Sequence, residues 1–322
     1  MRAWALLLLM VIASGFLLFF GPYQLPPMDS VQRGFRGLGM VQVVDRSSIP
    51  DTVAANQVPA PIEPVPPGGT PSSEVYENVQ VLGDVDSDEF NRLMVAITEW
   101  VSPEQGCTYC HTDDGNFASD DIYTKVVSRR MLQMTRHINA DWKNHVGNTG
   151  VTCYTCHRGR PVPVNIWFTD PGRVHAQGLL GDPAGQNSTG RMVGLTSLPH
   201  DPFTPFLQQE NGIRVVATTA LPEGNRQSIK QTEWTYGLMM HMSNALGVNC
   251  TYCHNSRSFM SWDQSNPARA SAWYGIRMVR DLNTDYLEPL GPTYPPVRLG
   301  PHGDAPKANC TTCHQGAYKP LL

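Results

Sequence analysis

The chain has no cysteine to spare. Its 322 residues include eight, and all of them fall inside four five-residue motifs. No thiol is left over for a structural disulfide, and none near the N-terminus could carry a lipid. Charge is scarce as well: Asp, Glu, Lys and Arg make up 16% of the chain, and the net charge is -4. That excludes a generally basic surface and, with it, nucleic acid as a partner. Gly and Pro are plentiful instead, 28 and 27 residues. Long irregular loops argue against a compact domain unless something else offers them an apolar surface.

The cysteines show what that surface is. They stand as CTYCH at 107–111, CYTCH at 153–157, CTYCH at 250–254 and CTTCH at 310–314. C-x-x-C-H is the signature of covalent c-type haem attachment. On one helical turn, residues i, i+3 and i+4 share a side. Two thiols so placed reach the two vinyl groups of one porphyrin, and the His that follows lies under the iron. The pattern assigns Cys107, Cys110, Cys153, Cys156, Cys250, Cys253, Cys310 and Cys313 to attachment. His111, His157, His254 and His314 become the proximal ligands of four haems c. Zinc sites and redox dithiols also use C-x-x-C, but neither needs His directly after the second Cys, four times over.

The N-terminus reads MRAWALLLLMVIASGFLLFFGPYQ. One charge, Arg2, precedes an uncharged stretch from Ala3 to Phe20, the short end for a membrane span. A cleaved leader would have its small residues at Ala13, Ser14 and Gly15, yet the apolar run continues beyond them. The reading is an uncleaved anchor over 1–21, with Arg2 cytoplasmic and the rest across the membrane, where haem c is attached.

Residues 22–73 read as an extended arm, with a short strand at VQVVD (41–45) and a Pro-rich stretch from 50. Four helices are then expected, one before each motif. The first is opened by Asp86, Ser87 or Asp88, carries Phe90, Leu93, Met94, Ile97 and Val101 at helical spacing, and ends at Ser102-Pro103. The second to fourth lie in DDIYTKVVSRRMLQMTRHINADW, NRQSIKQTEWTYGLMMHMSNAL and SNPARASAWYGIRMVRDLN. The widest gap between motifs suggests dihaem halves at 74–160 and 225–322, joined by 161–224, which holds a possible strand, IRVVATT. The fold class is mainly α: a multihaem cytochrome c of helix–turn–CxxCH repeats, with long loops, little β and an N-terminal transmembrane helix.

Each iron needs a sixth ligand. Thioether favours the ferrous state and imidazole the ferric. The helices offer Met94, then Met131 and Met134, then Met239, Met240 and Met242, then Met278; His137, His145 and His241 are also near, while His175, His200 and His302 lie in loops. Spacing alone leaves the choice open.

With VQRGFRGLGM at 31–40, TYCHNSRSF at 251–259 and PARASAWYGIRMVRDLN at 267–283, the chain resembles the tetrahaem cytochrome subunits of photosynthetic reaction centres. The resemblance implies Met94, Met131 and Met239 as sixth ligands of the first three haems and His145 as that of the fourth. It places Arg269 beside the third haem, where a cation raises the potential, and orders the haems outward from the special pair as third, fourth, second, first. It also implies the partners: the L- and M-type core subunits, and a soluble periplasmic donor, either a cytochrome c or a high-potential iron–sulfur protein. The expected location is the bacterial inner photosynthetic membrane, single-pass, with the haem domain periplasmic. Several family members carry a lipid-bearing N-terminal Cys that this chain lacks.

The expected function is electron transfer from the carrier to the photo-oxidised special pair, without enzymatic chemistry. A multihaem nitrite or hydroxylamine oxidoreductase would need an open distal site, whereas four candidate sixth ligands are at hand. The alternative is a membrane-anchored tetrahaem cytochrome passing quinol electrons to a periplasmic reductase. Asp113, Asp114, Asp120 and Asp121, after the first motif, read either as a solvated loop or as a docking patch for a basic carrier.

Overall fold

The computed structural model describes residues 2–20, 27–32, 40–66, 68–170, 190–215 and 229–321. Part of VQRGFRGLGM, residues 216–219 of the possible strand IRVVATT, and His175 lie outside them. The expected strand at 41–45 is present: β1 (Met28–Gln32) and β2 (Val41–Asp45) pair antiparallel, with Met28 opposite Asp45 and Gln32 opposite Val41. Helix α1 (Arg2–Phe20) precedes them. Its described side chains from Trp4 to Phe19 are exposed except at Gly15. Its 19 residues rise ~28 Å at 1.5 Å per residue, against ~30 Å of hydrocarbon. Among the described residues, no helix is long and apolar enough to cross a membrane.

The stretch expected to be extended contains α2 (Ile49–Ala55). Asp45 starts the turn before it by accepting from Ser47 N, 2.9 Å. Pro50 then stands in the first turn of α2, where a missing N–H costs nothing. The proline content hid this helix. A single turn, α3 (Ser72–Val75), follows.

Each motif is preceded by a long helix. The first is α4 (Ser87–Val101). Of the three candidate openers, Asp86 is the cap: its carboxylate accepts from Asp88 N at 2.8 Å and Glu89 N at 3.4 Å. Ser102 closes the helix, since the Pro103 that follows disfavours a helical residue before it. Helix α5 (Tyr123–Asp141) continues through one turn, α6 (Lys143–Val146), to α7 (Cys153–His157), the second motif itself. Helix α8 (Ile229–Leu246) precedes the third motif, and α9 (Ala268–Asp281) precedes α10 (Cys310–His314), the fourth.

The apolar core lies between these units. Ile138 of α5, Leu238 of α8, and Ile276, Met278 and Val279 of α9 pack with Trp167, Phe203, Phe206 and Leu207. The last four belong to the segment read as a connection, so that segment supplies core. Strand β3 (Ile166–Trp167) pairs antiparallel with β4 (Lys307–Ala308), bringing the C-terminal motif back to the middle of the chain. Buried Asn283 closes the junction: its amide donates to Leu207 O at 2.8 Å and Ala308 O at 3.0 Å, and its oxygen accepts from Ala308 N at 2.8 Å.

Candidate haem-binding site

The four motifs fold in two ways, and the residue between the cysteines decides which. In CYTCH and CTTCH the second intervening residue is Thr. Thr155 donates and accepts across a capping box with Thr152, as Thr312 does with Asn309. Two orphan backbone groups are satisfied at once, so α7 and α10 are α-helical turns, each ended by a left-handed residue, Arg158 (φ 51°) and Gln315 (φ 46°). In the two CTYCH motifs Tyr occupies that place and no box can form. There the turn is 3-10, over Gly106–Tyr109 and Cys250–Tyr252. An α-type bond still carries the histidine round: His111 N donates to Cys107 O at 3.0 Å and His254 N to Cys250 O at 2.9 Å.

The proximal histidines are oriented from behind. His157 Nδ1 bonds to Arg160 O, His254 Nδ1 to Phe259 O and His314 Nδ1 to Ala317 O, each at 2.9 Å. A carbonyl acceptor fixes the proton on Nδ1 and leaves Nε2 as the lone-pair donor. His111 differs. Its buried Nδ1 has no hydrogen-bond partner, and the Phe117 ring packs edge-on against it at 5.0 Å. Burial holds all four imidazoles below the usual range, His314 at about 4, so they are neutral and free to ligate.

A cavity of about 1280 Å³ runs between these elements, larger than the ~300–1,000 Å³ that holds one small ligand. Cys107, Cys110, Cys153, Cys156, Cys310 and Cys313 line it, with His111, His157 and His314. So do Met94, Met131 and His145, three of the four expected sixth ligands. Cys250, Cys253, His254 and Met239 do not line it; Met239 is half-buried and packs against the apolar core. Met134, Met242 and Met278 share the lining. His241 is a core residue: it is buried, its Nε2 is unpartnered, and its ring meets Phe203 edge-on at 4.5 Å.

His145 gives the sharpest test of fit. Its ring centroid lies 6.0 Å from that of His314. Two imidazoles on opposite sides of one metal, each ~2 Å from it, place their centroids roughly 6 Å apart. His145 Nδ1 bonds to Ser271 O at 2.9 Å, leaving Nε2 for a ligand, and burial lowers its pKa. Gly275, one turn along α9, makes room: a Cβ there would stand 2.6 Å from His145 Cε1 and 3.1 Å from Nε2.

The thiols answer the zinc reading. Burial pushes Cys253 up to about 11 and Cys310 up to about 12, and raises Cys110 and Cys153. A zinc site needs three or four such ligands together, and among the described residues no three Cys, His or acidic groups converge as a metal site. Cys156 and Cys313 are joined sulfur to sulfur, with Cα atoms 4.5 Å apart, although the sequence reading leaves no cysteine for a disulfide. A sulfur in a thioether to porphyrin cannot also hold that bond, so pairing and attachment exclude one another. What the geometry shows is that the second and fourth motifs lie against one another.

Contacts link the units in one order: α4 meets α7, α7 meets α10, and α10 meets α8. Arg158 reinforces the middle contact, donating to Ala55 O, Asn56 Oδ1 and Cys313 O at 2.9–3.1 Å. Gly247 and the backbone at Gly316 lie so close that a Cβ on Gly247 would meet Gly316 O at 2.1 Å.

A family model for the photosynthetic reaction centre cytochrome C subunit matches residues 24–322. The chain belongs to this family. It is 55% identical over 297 residues to the photosynthetic reaction center cytochrome c subunit of Rubrivivax gelatinosus, covering 92% of this chain and 81% of that one. The Thermochromatium tepidum subunit is 53% identical over 299 residues, covering 92% and 72%. That of Roseobacter denitrificans is 43% identical over 307, covering 91% and 82%. The chain is therefore an electron-carrying reaction-centre subunit with covalently bound haem c, associated with the core and the photosynthetic membrane.

Residues beyond the motifs went unseen in the sequence. Ser271 and Gly275 cradle His145. Thr155 and Thr312 had a readable signal, since a capping residue three before Thr marks a box. Three of the four aspartates after the first motif are engaged locally. Asp114 caps Asn116 N at 3.0 Å, Asp121 accepts from Ser119 Oγ at 2.7 Å, and Asp120 pairs with Arg129 at 2.7 Å and Lys125 at 3.3 Å.

Proposed function

We propose that this chain holds four haems c in the order first, second, fourth, third, and that electrons pass along this order from a soluble periplasmic carrier to the photo-oxidised special pair on the L- and M-type subunits. The contact succession α4–α7–α10–α8 carries the reading. Haem c supplies one-electron exchange between ferric and ferrous iron.

The chain's residues do the rest. Each CxxCH motif supplies two thioethers and a proximal imidazole, and in the second, third and fourth a carbonyl behind the ring holds its tautomer. Met94, Met131 and Met239 serve as sixth ligands of the first three irons and His145 of the fourth. Met94 and Met131 line the shared cavity, and the His145–His314 spacing suits one iron between them. With a second ligand supplied for each iron in this way, no side would be left open to a substrate. Arg269 lies close enough to His254 and Cys253 to act on both electrostatically, as a cation that raises the potential of the third site would. Helix α1 holds the chain to the membrane, with the haem domain on the periplasmic side and the two dihaem halves beyond the arm.

Flash spectroscopy on membranes with the haems pre-reduced tests this. Haem α-band oxidation within microseconds of one flash should match recovery of the bleached special pair. Reduced haems that stay silent after the flash would refute it.

A further inference from the structure

One histidine outside the motifs is bound to an acid through each ring nitrogen. His137 Nδ1 lies 2.7 Å from Asp141 Oδ2, and its Nε2 lies 2.6 Å from Asp281 Oδ2. An ionised carboxylate only accepts, so both bonds form together only when the ring carries two protons. A neutral ring would turn a lone pair on one of the two acids. Burial opposes the charge, yet the acids outweigh it and raise the pKa. The other groups around the ring are few. Tyr286, from the turn after α9, stacks on it at 5.3 Å and 26°, and Arg130 of α5 lies over the far ring at 4.4 Å. Asp285 stands beside Tyr286 in the same turn, and α6 brings Trp142, which is neutral. Two carboxylates against one imidazolium leave one net negative charge, and loss of the proton doubles it.

The same acid reaches towards the distal histidine. Asp281 Oδ2 also accepts from Trp142 Nε1 at 2.8 Å, and Trp142 O accepts from His145 N at 2.8 Å. Trp142 is the residue at which α5 ends and α6 begins. Helix α9 holds both ends of this connection. Ser271 O takes the His145 Nδ1 proton, Gly275 makes room for the ring, and Asp281 follows six residues later, a rise of ~9 Å. Ile276, Met278 and Val279 fill that stretch with buried apolar side chains, and Trp142 and Val146 pack against them. A charge that acts across dry core is screened far less than one on the surface.

We infer that His137 is a proton-binding site linked to the redox state of the fourth motif, holding its proton more tightly when the iron between His145 and His314 is ferrous than when it is ferric. The inference rests on the bis-histidine reading of that motif above and deepens it. Oxidation sends one electron on towards the special pair and leaves one more positive charge at the fourth site. His137 then holds its proton less tightly, and for the linked fraction one proton passes from Nδ1 through Asp141, which is 64% exposed, to water. Re-reduction by the carrier restores the electron, and His137 takes the proton back. Linkage is reciprocal, so the bound proton raises the potential of the fourth site and its loss lowers it. A unit charge roughly 12 Å away at an effective dielectric constant of ~20 is worth at most about tenfold in an equilibrium constant.

Redox titration of the native complex from about pH 6 to about pH 9, the range in which a raised histidine titrates, tests this. One of the four waves should fall as pH rises, by the equivalent of a three- to tenfold change in its ferric-to-ferrous ratio, ~30–60 mV at ~59 mV per tenfold. His137→Gln keeps a neutral donor for Asp281 and should make that wave flat, with haem content unchanged. Asp141→Asn removes one of the two charges that hold the proton and should move the fall to lower pH. A purely structural role for the cluster would move neither the slope nor its position on the pH axis. Four waves that stay level with pH overturn the inference. So does a slope that persists in His137→Gln, which would belong to other acids, or one that keeps its place in Asp141→Asn. The low-spin spectrum of the fourth site reports separately on its two histidines, so the ligation and the proton linkage can fail independently.

Discussion

Gly275→Ala isolates the geometry that holds the distal histidine. In an ordinary helix this change stabilises by ~1 kcal/mol, because Gly costs more backbone entropy than Ala. Here the new Cβ would stand 2.6 Å from His145 Cε1 and 2.9 Å from Nδ1. Carbon contacts settle at ~3.5–4.0 Å, so the ring must retreat by about 1 Å, several times the ~0.2 Å tolerance of a metal–ligand bond. The 2.9 Å bond to Ser271 O shifts with it. Outer-shell changes of this kind cost ~10–100-fold in ligation, or roughly 60–120 mV for a one-electron couple at ~59 mV per tenfold. Weakened imidazole ligation removes its preference for ferric iron, so the potential of the fourth site should rise. Redox titration of the purified complex would show one of four waves moving upward, with a high-spin signal appearing at that site alone. If all four waves and the low-spin spectrum are unchanged while the protein melts at a higher temperature, His145 is not a ligand held by α9.

Other outcomes follow from the same contacts. Arg269→Leu removes a cation that acts on His254 and Cys253 and frees the 261–265 loop; a nearby unit charge at an effective dielectric constant of ~20 is worth on the order of 1–4 kcal/mol, so the third potential should fall by tens of millivolts or more in redox titration while the first stays put. Thr155→Ala and Thr312→Ala each remove a capping box worth ~1 kcal/mol and should lower haem occupancy at the second and fourth motifs, read from haem-to-protein ratios, whereas Thr108→Ala in the first CTYCH should not. His137 sits between Asp141 at 2.7 Å and Asp281 at 2.6 Å. Burial opposes its charge, but the two carboxylates outweigh burial and raise its pKa. Its contribution to stability is therefore in place below ~6.5, the unfolded value, and is lost as pH rises through the raised folded value. Hydrogen exchange at the α5–α9 junction should accelerate across that range in the parent protein, and His137→Gln should abolish the pH dependence.

Attachment chemistry was legible because it is local: two thioether-forming thiols and one ligating imidazole within five residues need one turn and nothing else. The four long helices were legible for the same reason, from apolar spacing, Asp86 and Ser102-Pro103. Sixth ligands were not, since helical spacing puts Met131 and Met134 on adjoining parts of one face and both reach the cavity. His145 meets His314 only because α6 packs on α9, a tertiary fact with no sequence period. The core of the connecting segment was hidden by irregular backbone, as Phe203, Phe206 and Leu207 lie in and beside a π-type turn. Helix α2 was masked by the proline beside it.

The Asn56–Arg158–Cys313 junction bears on how the chain is made. Asn56 is fully buried, and its amide donates to Gln315 O at 3.2 Å. Synthesis delivers residue 56 well before residue 315, so the arm has no seat until the fourth motif arrives. The same late segment brings His314 to His145 and Ala308 to Trp167 Nε1, a 2.9 Å bond. The contacts of the arm, of His145 and of Trp167 therefore all close on one segment, residues 308–315. A premature stop that removes only this tail would strand partners all along the chain at once.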